Sequence, residues 1–297
     1  MQVIQPTIHK NTSCVNFAAH NKKIKAADDV CRMVMREFPV YSNTRFENYH
    51  RKRNEALYQL YGYSGSLIGE IRGYSSQASN PLEYYLRRLY AIKKFKAGNC
   101  SELADVTAMS LRLNGVKNAE AYTLHAYNPK TGNVRMLDHT VVGVNLTRPI
   151  PQPTNSTKEF YGLDNGGIIV DPWAGFADSE RSASATFKSD KRFHLKLESD
   201  EIVVYSPSKN VELGNILNKK DVLYLKHQYP ELIKSKKFSL WDKILWKFMD
   251  KSKYNFEEIS IGLKESIKRN YKLKSALSEN ALIELLNKKI GKNCEKL

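Results

Sequence analysis

Three short stretches of the chain carry residue types that could act together. They are Ala97-Gly98-Asn99-Cys100-Ser101-Glu102, then Asp138-His139-Thr140-Val141-Val142-Gly143-Val144, then Ile169-Val170-Asp171-Pro172-Trp173-Ala174-Gly175. In order they offer a cysteine at a helix start, a histidine on an apolar strand and an aspartate at a strand end. A cysteine nucleophile needs a base to take its proton, and the base needs a third group to orient its ring. Groups so far apart in the chain meet only through the fold, as such sites require.

The surroundings of Cys100 fit that role. Gly98-Asn99 is a turn signal. Residues Ser101 to Leu113 are rich in helix formers, with Leu103, Val106, Ser110 and Leu113 at helical spacing. Asn114-Gly115 is a C-terminal stop. Cys100 therefore falls at or just before the first helical turn. There the partial positive charge of the helix end favours a thiolate, and free backbone N–H groups can face a developing oxyanion. The acidic Glu102 and Asp105 suit the helix dipole, but would oppose a thiolate if they pointed at it.

Each residue also has a plainer reading. Cys100 alone could be a small buried hydrophobe, His139 a core histidine, and Asp171 a cap. The three segments jointly favour the catalytic reading. His125, on the neighbouring strand, competes for the role of base but lacks the Asp-His-Thr-Val-Val context. Asn99 is a candidate oxyanion donor or simply an N-cap, and Trp173 a candidate cleft wall or a core anchor. Cys14, Cys31 and Cys294 have no comparable setting.

Gly-Asn-Cys before a small-residue helix, Asp-His before a Val-rich strand, and Val-Asp-Pro-Trp resemble the papain-like, transglutaminase-like Cys-His-Asp enzymes of bacterial toxins and secreted effectors. The resemblance covers about Ala97 to Gly175. It implies acyl transfer at a host-protein glutamine through a thioester, ending in deamidation by water or cross-linking to a lysine amine. Cys100 would be the nucleophile, His139 the base and Asp171 the orienting group, with no cofactor. The roughly 20-residue loop from Thr147 to Gly167 is longer than in several relatives. Some relatives cleave peptides, so a cysteine protease of the same fold is an alternative. A non-enzymatic adaptor that binds host protein or lipid is another. The resemblance also implies a host-protein substrate, a bacterial regulatory partner and delivery by a specialised secretion system into the host cytoplasm or onto its membranes.

Composition bounds the rest. A chain of 297 residues, 41% hydrophobic and 26% charged, is an ordinary globular composition. Four cysteines without framework spacing point to a reducing compartment. Metal-binding and nucleotide-binding motifs are absent from the sequence, so no metal site is expected. No signal peptide or membrane-spanning run is evident. The formal net charge is +16, and residues 201–297 hold 20 Lys and Arg against 12 Asp and Glu. Such basicity suits an anionic lipid or acidic protein surface. It also suits nucleic acid, but nothing else in the chain favours that partner.

The expected fold is α+β: a papain-like, transglutaminase-like catalytic domain of helices and antiparallel sheet over residues 1–206, then a basic α-helical domain over 207–297 for targeting or interaction. Helices are expected over Ala26–Phe38, through Phe46, Tyr49, Leu57, Leu60 and Tyr61, and from Asn80-Pro81 onward. Strands are expected over Ala119–Tyr127, Val134–Leu146, Gly167–Asp171 and Ile202–Tyr205, with a hairpin turn at Asn128–Asn133. Ser206–Asn210 marks the boundary. Beyond it Trp241, Ile244, Leu245, Phe248 and Met249 form an apolar stripe, and Leu282–Ile290 repeats the pattern. Two uses fit the stripe. Its helix could bury it in a bundle, the reading the sequence favours, or could lie on an anionic membrane through Lys236, Lys237, Trp241, Lys243, Trp246 and Lys247.

Overall fold

A computed structural model describes residues 12–40, 68–69, 71–95, 98–162, 166–190, 193, 195–208, 217–234 and 237–250. The chain is α+β, with an antiparallel five-stranded sheet. It divides into two compact units, one of residues Met1–Glu37 and Leu103–Asp242, the other of Phe38–Glu102 and Lys243–Leu297. The expected helix through Phe46 to Tyr61, the Leu282–Ile290 run and Lys236 lie outside the described residues.

The first unit carries the sheet. Its strands are β1 (Ala119–Tyr127), β2 (Val134–Val144), β3 (Ile168–Asp171), β4 (Phe176–Ser179) and β5 (Ile202–Pro207), in the spatial order β4-β3-β2-β1-β5. The β1–β2 hairpin closes at Asn128–Asn133, where Gly132 takes φ +71° and its N–H donates to the Asn128 carbonyl at 2.9 Å. β4 was not foreseen. It is only four residues long, too short to show alternation, and it pairs back on β3.

The sheet has two distinct faces. On one, Tyr122, Leu124, Ala126, Leu137, Val141, Ile169, Val203 and Tyr205 pack with Ala183 and Phe187 of a helix over Glu180–Ser189. On the other, Tyr127, Val134 and Val204 pack with Phe160. A long helix, α1 (Thr12–Glu37), starts well before the expected Ala26 and buries Ala27, Val30, Cys31, Met33 and Val34. Residues 219–234, which the sequence assigned to the basic C-terminal part, lie in this same unit. Leu223, Leu225 and Leu232 are buried there, and the Leu232 carbonyl accepts from Ser110 Oγ and Asn114 Nδ2, both at 2.8 Å.

In the second unit, α2 (Pro81–Phe95) opens as expected. Asn80 Oδ1 accepts from the Glu83 N–H at 2.9 Å, an N-cap bond. A short helical segment over residues 71–76 precedes it. α3 (Cys100–Leu113) begins in this unit, and the boundary between the units falls within it, between Glu102 and Leu103. From Glu102 to Leu111 every residue of α3 is buried. Its end is a Schellman motif: Gly115 at φ +85°, its N–H on the Arg112 carbonyl at 3.0 Å and the Val116 N–H on Leu111 at 2.9 Å. Among the described residues, no helix is long and apolar enough to cross a membrane.

Candidate active site

Asp171 ends β3, and Pro172-Trp173 turns the chain there. The turn closes through Gly175, whose N–H donates to the Asp171 carbonyl at 2.7 Å. Gly175 adopts φ +82°, where a side chain would be strained, and a Cβ there would stand 3.1 Å from Met35 Cε. The same turn serves the carboxylate. Asp171 Oδ1 accepts from the backbone N–H groups of Trp173 and Ala174, each at 2.9 Å. Asp171 Oδ2 lies 2.6 Å from His139 Nε2. The carboxylate is fully buried, and its orientation is set by the backbone before the histidine is counted.

His139 lies on the Phe187 face of β2, two residues from both Leu137 and Val141, where strand alternation places it beside Asp171. Thr123 pairs with Thr140 and His125 with Met136, so β1 spends Leu124 where β2 spends Leu137, Asp138 and His139. The His139 ring is enclosed by aromatic edges: Trp173 at 5.6 Å, Phe193 at 5.4 Å and Phe187 at 5.9 Å between centroids. A neutral ring that donates Nε2–H to Asp171 carries its lone pair on Nδ1, the nitrogen that can take a proton. Behind Asp171 stands Cys31, buried, with Sγ 3.7 Å from the Asp171 carbonyl oxygen. Burial pushes its thiol up to about 12, aided by the charge of Asp171.

His125 does not share this setting. It pairs with Val204 and stacks edge-on with Phe160 at 4.9 Å, on the sheet face away from Phe187. Its Nε2 is 2.8 Å from Ser206 Oγ, and burial, with a smaller push from Lys158, drives its pKa down to about 4. It is a neutral core histidine hydrogen-bonded across to β5.

Cys100 is the first residue of α3 and is partly exposed. Asn99 holds the position before it, and its backbone N–H donates to Glu102 Oε2 at 2.9 Å. That is half of a capping box, with the third helical residue reaching back to the cap. The Asn99 N–H is thereby committed to Glu102. Gly98 is needed for closeness: a Cβ there would stand 3.1 Å from the Glu102 Cβ and 3.4 Å from Val40.

Glu102 does not stand as a bare charge beside the thiol. It is fully buried, and Arg72 binds it with Nε at 2.8 Å and Nη2 at 3.2 Å, while Arg88 lies 3.5 Å away. Burial alone would raise its pKa. The Arg72 hydrogen bond, the charges of Arg88 and Arg72 and the Asn99 N–H outweigh that and hold it below its usual value. Two guanidinium groups thus face one carboxylate at the start of the Cys100 helix. Arg72 is itself held above its usual value, first by the Glu102 hydrogen bond. Sequence reasoning missed both arginines. The Asn99-x-x-Glu102 capping-box spacing was the available signal for Glu102, but nothing local pointed to partners 14 and 30 residues upstream.

The structure thus brings His139, Asp171 and Trp173 together in the sheet-bearing unit, while Asn99 and Cys100 belong to the second unit. Among the described residues, no group of three or more His, Cys, Asp or Glu could hold a metal ion.

No protein-family model, no curated protein and no solved structure matches the chain.

Proposed function

We propose that Cys100, His139 and Asp171 form a thiol acyl-transfer site that acts on the side-chain amide of a protein glutamine. The observation that carries this reading is the His139 Nε2–Asp171 Oδ2 pair at 2.6 Å, with the other Asp171 oxygen held by two backbone amides. A buried carboxylate so fixed serves to hold an imidazole in one tautomer, which is what a base serving a cysteine needs. A cysteine-led helix and an antiparallel sheet bearing His and Asp on adjacent strands also support a papain-like, transglutaminase-like arrangement.

In the proposed reaction His139 Nδ1 takes the Cys100 proton and the sulfur attacks the carboxamide carbon. The tetrahedral oxyanion collapses, the C–N bond breaks, and His139 returns the proton so that ammonia leaves. The thioester is then opened by water, giving glutamate, or by a lysine amine, giving an isopeptide. His139 takes the proton of whichever attacks and returns it to the sulfur. Asp171 stabilises the imidazolium formed at each stage.

The test is incubation of the full chain with a glutamine-bearing protein, with and without a tagged primary amine, followed by intact-mass analysis. Amine incorporation or amide-to-acid conversion that disappears in Cys100→Ala supports the proposal. Peptide-bond cleavage that disappears in the same variant assigns the site to a protease instead. No change in any of several glutamine-bearing proteins, with no thioester trapped by hydroxylamine, counts against an enzyme and favours an adaptor. The resemblance extends the proposal to an effector delivered into a host cell, where the glutamine donor would be a host protein.

A further inference from the structure

The helix over Leu240–Phe248, α6 once the helices Glu180–Ser189 and Lys219–Gln228 are numbered α4 and α5, does not bury its apolar stripe. Leu240 is 73% exposed, Trp241 73%, Ile244 39% and Phe248 78%. At about 100° per residue these four share an arc of about 100°. The half-buried residues Asp242, Leu245 and Trp246 fall on the other side. The bundle packing expected from the sequence would bury the stripe, and the structure turns most of it outward. Only Leu245 is half-buried and Met249 buried.

The charges are placed to match. Lys243 and Lys247 are exposed and border the apolar arc, with exposed Lys237 just before the helix. Two acids stand at the helix, exposed Asp250 just past its end and Asp242 taken up by its start: Asp242 Oδ2 accepts from the Ser239 N–H, and the Asp242 N–H donates to Ser239 Oγ, both at 3.0 Å. That is a capping box, and it keeps the carboxylate off the apolar face.

We propose that the Leu240–Phe248 face inserts shallowly into an anionic lipid surface. A helix with Trp, Phe and Leu on one side and lysines along its border lies in the interface plane, its apolar side among the acyl chains and its ammonium groups at the headgroups. Nine residues span about 13 Å, and at a helix width of about 10 Å one face offers on the order of 130 Å², small beside the roughly 800 Å² per partner of a stable protein interface but enough for an interfacial wedge. The proposal is independent of the thiol chemistry.

The test is co-sedimentation of the full chain with vesicles of phosphatidylcholine alone and of phosphatidylcholine with phosphatidylserine, at low and high salt. Binding is expected only with the anionic lipid and should weaken as salt screens the lysines. Lys243→Gln with Lys247→Gln should lower partitioning roughly thirtyfold, from about fivefold per lysine at such a surface. Trp241→Ser with Phe248→Ser should abolish it. Met136→Ser, at another exposed apolar residue, should change nothing. The altered side chains are exposed, and unchanged circular dichroism would show that each variant folds. Absence of binding to anionic vesicles overturns the proposal and gives the face to a protein surface, in this chain or another. Binding unaffected by Trp241→Ser with Phe248→Ser overturns it as well.

Discussion

His139 Nε2 and Asp171 Oδ2 stand 2.6 Å apart, on adjacent antiparallel strands and out of solvent. The pair is fixed by a local departure from regular sheet, the left-handed Gly175 turn that returns two amides to the Asp171 carboxylate. Such a turn would not be needed for a histidine that only filled the core.

The roles proposed for Cys100 and Asp171 rank the costs of losing them. Cys100→Ala should remove activity by about 10⁶-fold, and Asp171→Ala should cost about 10⁴-fold, since an orienting group contributes less than the nucleophile. Cys100→Ser should be nearly as inactive as Cys100→Ala, because a hydroxyl is a far weaker acid than a thiol near 8.5. Steady-state rates of glutamine modification measure all three. Equal activity in Asp171→Ala and the parent chain would remove Asp171 from the site.

Much of this was legible in the sequence, for physical reasons. β1, β2, β3 and β5 show themselves through apolar alternation or through runs buried on both sides, and α3 through helical spacing with a Gly stop. The Cys, His and Asp contexts stood out for the same reason: each is a short local pattern. What was hidden is long-range. The Glu102–Arg72 pair, the enclosure of His139 by Phe187 and Phe193, and the opposite sheet faces of His125 and His139 depend on contacts or register no local window contains. The outward turn of Trp241 and Phe248 was hidden too, because an amphipathic pattern gives a stripe but not its neighbour.

Thiol chemistry should separate two cysteines. Cys31 is wholly buried, with its thiol pushed up to about 12, whereas Cys100 is partly exposed at a helix start. Brief iodoacetamide treatment at neutral pH, followed by peptide mass analysis, should alkylate Cys100 and leave Cys31 unmodified until the chain unfolds. Faster labelling of Cys31 than of Cys100 would contradict the burial on which this rests.

Removing the charge of Glu102 should destabilise the chain rather than activate it. Glu102→Gln leaves Arg88, 5% exposed, facing Arg72 with no carboxylate between them. The expected loss is about 2 kcal/mol, below the 3–5 kcal/mol of a fully buried pair because Arg72 is 47% exposed. The folded carboxyl sits below its usual value, so its contribution is complete above the ordinary carboxylate pKa and fades as pH falls through the folded one. Denaturant midpoints of parent and variant should therefore differ most at neutral pH and converge in acid.

His125 gives stability a second pH dependence, of separate origin. In the unfolded chain it takes a proton near 6.5, and in the folded chain only near 4. Between those values the unfolded state holds the extra proton, so stability falls as pH drops through the window. The loss reaches on the order of 3 kcal/mol below it. His125→Gln should flatten that part of the stability–pH curve while leaving glutamine modification intact. An unchanged slope would show that His125 already carries its proton in the folded state.

The central claim is that Cys100 and His139 meet as nucleophile and base. The most direct measurement uses 1,3-dibromoacetone, whose three-carbon span can join a thiol to an imidazole only when the two adjoin. The reagent should alkylate Cys100 and then close onto His139, leaving one cross-linked pair of peptides in the digest that vanishes in Cys100→Ala and in His139→Ala. Cys100 alkylated at one end only, or joined to a residue other than His139, would contradict the account.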